Sequence, residues 1–351
     1  MKRRHHYVPR FFLRAFASAD RRIHLYNLAG RKTVQDASLR DQCFKHRMYG
    51  EDDMLEDALS VIEGAAAQVI GKIHVRGECP PLGTEEHIVL RVFLGYQLLR
   101  TTAALGHVVA HSKAVERAVF DGKTPQSWGA AEDQALLICL RSAPLFAGAL
   151  TDLESTLVQA PPDHSFVTSD KPVFRYNCYC QGITGTGVTG AHSSGFMLIC
   201  PLSPQLLLLL FDSEVYKVGS RRQSSHVNAR PVDVHAFSRI QFVAAQDNVY
   251  FSDWRFATQC NALATGVVKI RAASRPHVNI AVSELNEREE LLHSYWPMPD
   301  LGLDLSFLSI KREARRVELF ARSRRVRRPY TNAALDLAEG QFTRYVVRKR
   351  Q

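Results

Sequence analysis

A chain of 351 residues, 46% of them hydrophobic, is long enough to bury one large core or two ordinary ones. No apolar run approaches the roughly 18 residues of a membrane-spanning helix, and seven scattered cysteines, an odd number, argue for reduced thiols against a disulfide scaffold. The net charge of +10 is unevenly spread: residues 1–50 carry +9, residues 51–310 carry −8 and residues 311–351 carry +9.

In chain order, the pattern predicts an extended start and a short helix over 9–16. A hairpin follows, because Arg22-Ile23-His24-Leu25-Tyr26-Asn27-Leu28 alternates, Ala29-Gly30 turns and Lys32-Thr33-Val34 returns. Ser38-Leu39-Arg40-Asp41 reads as a helix start. Residues 53–73 form a helix with Leu55, Leu59, Ile62, Ala66 and Ile70 at helical spacing, and Cys79-Pro80-Pro81-Leu82-Gly83 breaks it. A long helix is expected over 85–120, capped by Thr84, although His87 stands where a full capping box wants Glu or Gln. Another covers 130–139, with Pro144 kinking or ending it.

Beyond Pro161-Pro162 the character changes to strands, at 165–168, 195–200 and 206–210 extended to Phe211, with a Gly/Thr/Ser-rich loop over 181–195. Helices are expected at 232–245 and 254–264, then short strands and an Arg-rich tail. The fold class is therefore α+β: an N-terminal hairpin and helix, a mostly helical centre, then a mixed sheet with helices. The organisation expected is a basic motif segment (1–50), a helical region (51–160), an α+β region packed on it as one domain (161–310) and an Arg-rich segment (311–351). Met1-Lys2-Arg3-Arg4 imitates a signal peptide, but His5, His6, Arg10 and Arg14 interrupt its apolar core, so a cytoplasmic location is expected.

Clustered Arg suits a polyphosphate partner, since each phosphate contact releases counterions and Arg grips phosphate bidentately. The alternative is that both basic ends fold onto the acidic middle. The densest constellation is His5-His6-Tyr7-Val8-Pro9-Arg10, which offers acid, base and phosphate clamp within six residues. Phosphodiester cleavage needs a base, an acid and positive charge, and imidazole titrates near neutrality. Adjacent histidines point in different directions, however, so one of them can simply pack or cap. Thr168-Ser169-Asp170-Lys171-Pro172 ends a strand with a carboxylate and two hydroxyls. Asp170 can hold a divalent metal such as Mg²⁺ or orient a histidine, and capping the turn is the plainer alternative.

Three further patterns carry less. Arg100, His107 and His111 fall on one face of the long helix, but Val108 stands where a metalloprotease helix needs Glu, so packing is favoured. Cys178 and Cys180 lack a second pair at zinc-finger spacing, and two thiols on one face of a strand account for them. Gly185-Thr186-Gly187-Val188-Thr189-Gly190 matches a dinucleotide fingerprint only as a string, because a strand and not a helix follows; Ser193-Ser194-Gly195 likewise lacks a nucleophile elbow.

His5 to Phe16 resembles the opening signature of the domain-of-unknown-function family numbered 4238. Phe166 to Val173 resembles that family's Thr-Ser-Asp-x-Pro strand-turn, and Phe196 to Pro204 its apolar strand ending in Pro-Leu-Ser. The order and spacing agree over about residues 5–250. The resemblance implies that His5, His6, Tyr7, Pro9 and Asp170 belong to a recurring pattern, and it supplies no reaction. Val234-His235-Ala236 departs from the Leu-Asn pair expected to open the helix at 232–245.

The preferred expectation is a nuclease-like protein acting on nucleic acid. His6 is its acid/base, His5 and Tyr7 assist, and Asp170 is metal ligand or histidine orienter. Arg10 and Arg14 bind phosphate, and Arg324, Arg325, Arg327 and Arg328 hold the backbone. The alternatives are a non-catalytic nucleic-acid-binding or regulatory module, and a subunit of a larger complex that docks a protein through the basic tail.

Overall fold

The computed structural model describes residues 4–19, 21–50, 53–119, 131–183, 188–219, 226–273, 277–282, 289–295, 297–330 and 346–349. The architecture is α+β. The N-terminal part contains β1 (Arg4–His6), α1 (Arg10–Arg14), β2 (Arg22–Asn27), β3 (Lys32–Ser38) and β4 (Phe44–His46). Then come α2 (Met54–Arg76), α3 (Glu85–Leu99), α4 (Thr102–Val119) and α5 (Ala131–Gly148). The sheet region holds β5 (Glu154–Gln159), β6 (Thr168–Ser169), β7 (Phe174–Tyr176), β8 (Met197–Pro201), β9 (Leu206–Phe211), β10 (Tyr216–Val218) and β11 (His226–Asn228). It is followed by α6 (Pro231–Ala244), β12 (Asn248–Phe251), α7 (Ala257–Gly266) and α8 (Val268–Ala273).

The central sheet has the order β11-β5-β9-β8-β7, parallel between β11 and β5 and antiparallel elsewhere. Its middle strand is the five-leucine run, and the run is explained by burial on both faces. Leu206, Leu208 and Leu210 enter a core with Phe12, Leu90 and Phe93, while Leu207 and Leu209 enter another with Phe237, Ile240 and Leu263. The sheet is thus a middle layer with α1 and α3 on one side and α6 and α7 on the other. A second sheet, β3-β2-β12-β6, brings the N-terminal hairpin against β12, and Asn27 is paired with Lys32 across the turn.

Several expected elements change. The long helix over 85–120 is two helices bent by 57°. At the break, buried Arg100 donates to Glu63 Oε1 (2.7 Å) and Gln97 Oε1 (2.9 Å), and Thr101 Oγ1 accepts the Ala104 N–H (3.3 Å) as a new N-cap. Arg100 therefore does not share a helix with His107 and His111. Thr84 does cap α3, accepting from the His87 N–H at 3.3 Å.

Pro144 lies inside α5, which continues to Gly148. There α3 and α5 approach so closely that a Cβ on Gly95 would sit 2.8 Å from the Ala143 carbonyl. Ser38 leads only to a 3-10 turn, Leu39–Asp41, and the strand expected at 165–168 shortens to Thr168–Ser169. Cys178 and Cys180 sit on a 3-10 turn, not a strand, and burial pushes their thiols up to about 12 and about 11. Residues 185–187 of the glycine string lie outside the described residues; Ser193 forms an isolated bridge with Val326 and Ser194 lies in a turn. No single helix among the described residues is long and apolar enough to cross a membrane.

Candidate functional site: a cationic cavity behind the Thr-Ser-Asp turn

The opening motif divides between core and surface. β1 pairs antiparallel with β4, so consecutive side chains face opposite ways. His5 is fully buried, stacks on Tyr49 with ring centroids 5.4 Å apart, and accepts the Tyr49 N–H on Nδ1 at 3.1 Å. Tyr7 is buried as well. Its N–H donates to the Cys43 carbonyl (2.9 Å), its carbonyl accepts from Gln97 Nε2 (3.0 Å), and burial beside Cys43, Asp170 and Asp247 raises its phenol pKa.

His6 faces the other way, into an open hollow lined by Arg4, Arg10, Arg40 and His46, with Glu56 and Glu63 of α2 on the far wall. Its Nε2 bonds the Arg40 carbonyl at 3.2 Å. Burial, then Arg10, Arg4 and Arg40, lower its pKa against that bond, so the imidazole is neutral at neutral pH.

Asp170 does not point into this hollow. It is 1% exposed; Oδ1 accepts from the Gln246 N–H (2.8 Å), and Oδ2 accepts from Asp247 (2.6 Å) and Asn248 (3.0 Å). The carboxylate thus ties β6 to the turn between α6 and β12. Burial pushes it up to about 6 against the pull of the three amides. The geometry is that of the turn cap, not of a metal ligand, and no group of three or more His, Cys, Asp or Glu among the described residues is placed to hold a metal.

Next to Asp170 the chain turns the other way. Ser169 Oγ donates to Gln241 Oε1 (2.7 Å) and accepts the Lys171 N–H (3.2 Å), while Gln241 Nε2 donates to the Pro172 carbonyl (3.1 Å). This network fixes the turn, and Lys171 lines a cavity of about 770 Å³. Arg31, Arg175 and Arg271 also line it, together with the hydroxyl residues Thr189 and Thr265; no Asp or Glu stands among its described lining residues. Tyr26, Phe174, Val243, Val268 and Met298 supply apolar wall.

Arg271 Nη1 donates to the carbonyls of Phe242 (2.6 Å), Val243 (3.3 Å) and Ala245 (2.6 Å), a cation at the C-terminus of α6 where the helix dipole favours one. Burial pulls Lys171 down to about 7, with Arg175 adding to the fall and Asp170 opposing it. The same proximity, after burial and His111, helps lower His107 on α4 to about 4.

A protein-family model described as "Protein of unknown function (DUF4238)" matches residues 4–254. The chain belongs to the DUF4238 family. No curated protein and no solved structure matches it. The DUF4238 match contains Tyr26, Lys171, Arg175 and Val243, whereas Thr265, Val268, Arg271 and Met298 lie beyond it. The cavity therefore joins the family region to the chain that follows.

Of the tail arginines proposed to hold phosphate, Arg327 is a correction. It is 2% exposed, its Nη1 donates to both Asp152 oxygens (2.5 and 2.6 Å), its Nε to the Ala191 carbonyl (2.9 Å), and its Nη2 to the carbonyls of Ala149 and Ala191. It locks the tail against the end of α5 and the 188–194 turns. Arg324, Arg325 and Arg328 are exposed, Arg324 stacking over Phe320 at 5.0 Å. Arg10 and Arg14 are exposed, and neither has an ion-pair partner among the described residues. Sequence analysis did not single out Lys171 and Arg175, which line the cavity. The available signal was two cations four residues apart in the apolar stretch Lys171-Pro172-Val173-Phe174-Arg175.

Proposed function

We propose that the protein binds nucleic acid through its phosphates at the basic N-terminal face, and that the His5–His6–Asp170 arrangement is not a nuclease centre. The observation that carries this reading is the hollow in which Arg4, Arg10 and Arg40 converge with His6 and His46. Arg10 and Arg40 are exposed and free of ion pairs among the described residues, so they can take phosphate without first losing a carboxylate. Arg4 is already held by Asp41 at 2.5 Å and lies over Phe44, which makes it a wall and not a ligand.

Binding of labelled single-stranded RNA and DNA across a KCl series tests the reading. The logarithm of the affinity falling linearly with log salt in the native protein, with a shallower slope in Arg10→Ala, is expected. Salt-independent binding, or none, sinks it. A second reading keeps His6 as a base, favoured by its neutral imidazole among three guanidinium groups. Incubation with RNA and DNA, with and without Mg²⁺, decides between them: cleavage abolished in His6→Ala restores the enzyme, and equal cleavage by both proteins removes His6 from the chemistry.

A further inference from the structure

We propose that the outer face of α2 is the interface of an antiparallel homodimer, in which α2 packs against α2 of a second copy of this chain. The inference goes beyond nucleic-acid binding and does not depend on it. Of the α2 residues that line the His6 hollow, Glu56, Ser60, Glu63 and Ala67 occupy a neighbouring face, and Gly64 alone belongs to both.

Periodicity is the first argument. The 23 residues of α2 bury Leu59, Ala66, Val69, Ile70 and Ile73 on one side. On the far side Met54 is 74% exposed, Val61 74% and Val75 88%. Exposed apolar residues scattered singly need no explanation. These three, with Gln68, recur every seven residues and so form one row along the helix, the spacing of a seam between two helices.

Close approach is the second argument. Gly64 and Gly71 are exposed in the interior of α2, where glycine weakens a helix relative to alanine. A Cβ on either would meet nothing within 4 Å, so no contact inside the chain requires them. With Ala58 and Ala65 they border the row with small side chains and let a second helix come near.

Charge decides the occupant. A two-fold axis at Gly64 and Ala65 sets Asp53 opposite Arg76, Met54 opposite Val75, Asp57 opposite Lys72, Ala58 opposite Gly71 and Val61 opposite Gln68. The symmetry repeats each of these pairs, as an isologous interface requires. A parallel pair would set Asp57 against Asp57 and Lys72 against Lys72, which repel. Each of the four charged residues also interacts within its own chain, Lys72 and Arg76 with Glu86. The charges therefore fix direction and register, and Met54, Val61 and Val75 supply the apolar contact. The face is about 35 Å long and one helix wide, on the order of 400 Å² on each partner. An interface that small gives a reversible dimer at micromolar concentrations and above.

Sedimentation velocity of the full chain, freed of nucleic acid, between about 1 and 300 µM tests the proposal. The mass should rise with concentration from 39.5 kDa towards twice that value. Val61→Glu should weaken self-association by about tenfold or more, with Tm within about 2 °C of the native value. Gly64→Gln separates folding from contact, because helix propensity favours it in the monomer while its bulk blocks close approach. Its Tm should hold and its self-association should fall, and it decides alone if Val61→Glu fails to fold. Asp57→Lys and Lys72→Glu should each weaken the dimer by about tenfold at low salt, since two facing pairs become repulsive. Mixing these two variants makes every such pair opposite in charge again, so the mixture should associate nearly as strongly as the native chain.

A monomer at every concentration would overturn the proposal and leave the face to another protein or to another segment of this chain. A dimer unchanged in both Val61→Glu and Gly64→Gln would move the interface elsewhere. A mixture no stronger than its components would rule out the antiparallel register.

Discussion

Two cation-lined spaces on this protein look alike in composition and differ in construction. In the hollow around His6 the cations are surface side chains of Arg10 and Arg40, and acidic residues of α2 stand across from them. In the cavity around Lys171 the charge is buried, the lining carries no acid, and a hydrogen-bonded frame of Ser169, Asp170 and Gln241 holds the backbone. An exposed arginine costs the fold little and needs no ligand to justify it. Lys171 is nine-tenths buried and burial drags its pKa to about 7, so keeping it charged there costs the fold more than keeping Arg10 or Arg40 charged at the surface. Cations therefore say most about function where keeping them is expensive.

The sharpest way to break the comparison is to remove the frame. Asp170→Ala leaves the N–H groups of Gln246, Asp247 and Asn248 without their acceptor in the interior. At roughly 1–3 kcal/mol for each orphaned group, partly relieved by relaxation, the loss should be about 3–5 kcal/mol. Urea unfolding followed by circular dichroism measures it. A loss below about 1 kcal/mol would mean that the carboxylate is not structural, and the expectation of a ligand or metal role for Asp170 would return.

The contrast also explains which parts of this molecule were legible in the sequence. Hairpin, α2, β9 and α6 followed from local periodicity and turn chemistry, and the burial of Leu206 to Leu210 on two faces was legible as an unbroken apolar run. The bend at Arg100 was not, because it depends on Glu63, which reaches Arg100 from another helix. The motif residues were recognised, and packing for one histidine and capping for Asp170 were among the readings, but which histidine packs was not legible. Buried His5 and half-buried His6 are neighbours whose difference is set by pairing of β1 with β4. Asp170 and Lys171 are likewise adjacent; the first bonds residues 76–78 positions away and the second meets α6 and α8 across the cavity. Such partners are contributed by tertiary structure, and no spacing rule spans that distance.

A smaller effect sharpens the same comparison through pH. The Lys171 pKa is lowered from 10.5 to about 7 by burial and by Arg175, against Asp170, and His107 faces the same two cations from α4. Between about 7 and 10.5 the unfolded chain holds a proton that the native lysine has released, so this group makes the protein more stable as pH rises. Urea unfolding at about pH 7 and pH 9 should show this rise in the native protein, and Lys171→Met should flatten it. A stability that does not change over that range would show that the folded chain leaves the proton affinity of Lys171 as it is in the unfolded one.

The smallest effect belongs to the hollow. His6 is half-buried and bonds only the Arg40 carbonyl among the described residues, so His6→Ala should change stability by less than about 1 kcal/mol. Its imidazole is held neutral by burial and by Arg10, Arg4 and Arg40, so it displaces no counterion when a strand binds. The slope of log affinity against log salt should be the same in His6→Ala as in the native protein. Arg10→Ala should reduce that slope by about 0.7 for single strands, the share of one phosphate contact. A lower slope in His6→Ala would show a charged imidazole at the phosphates, and the pairing of a neutral histidine with cationic neighbours would have to be abandoned.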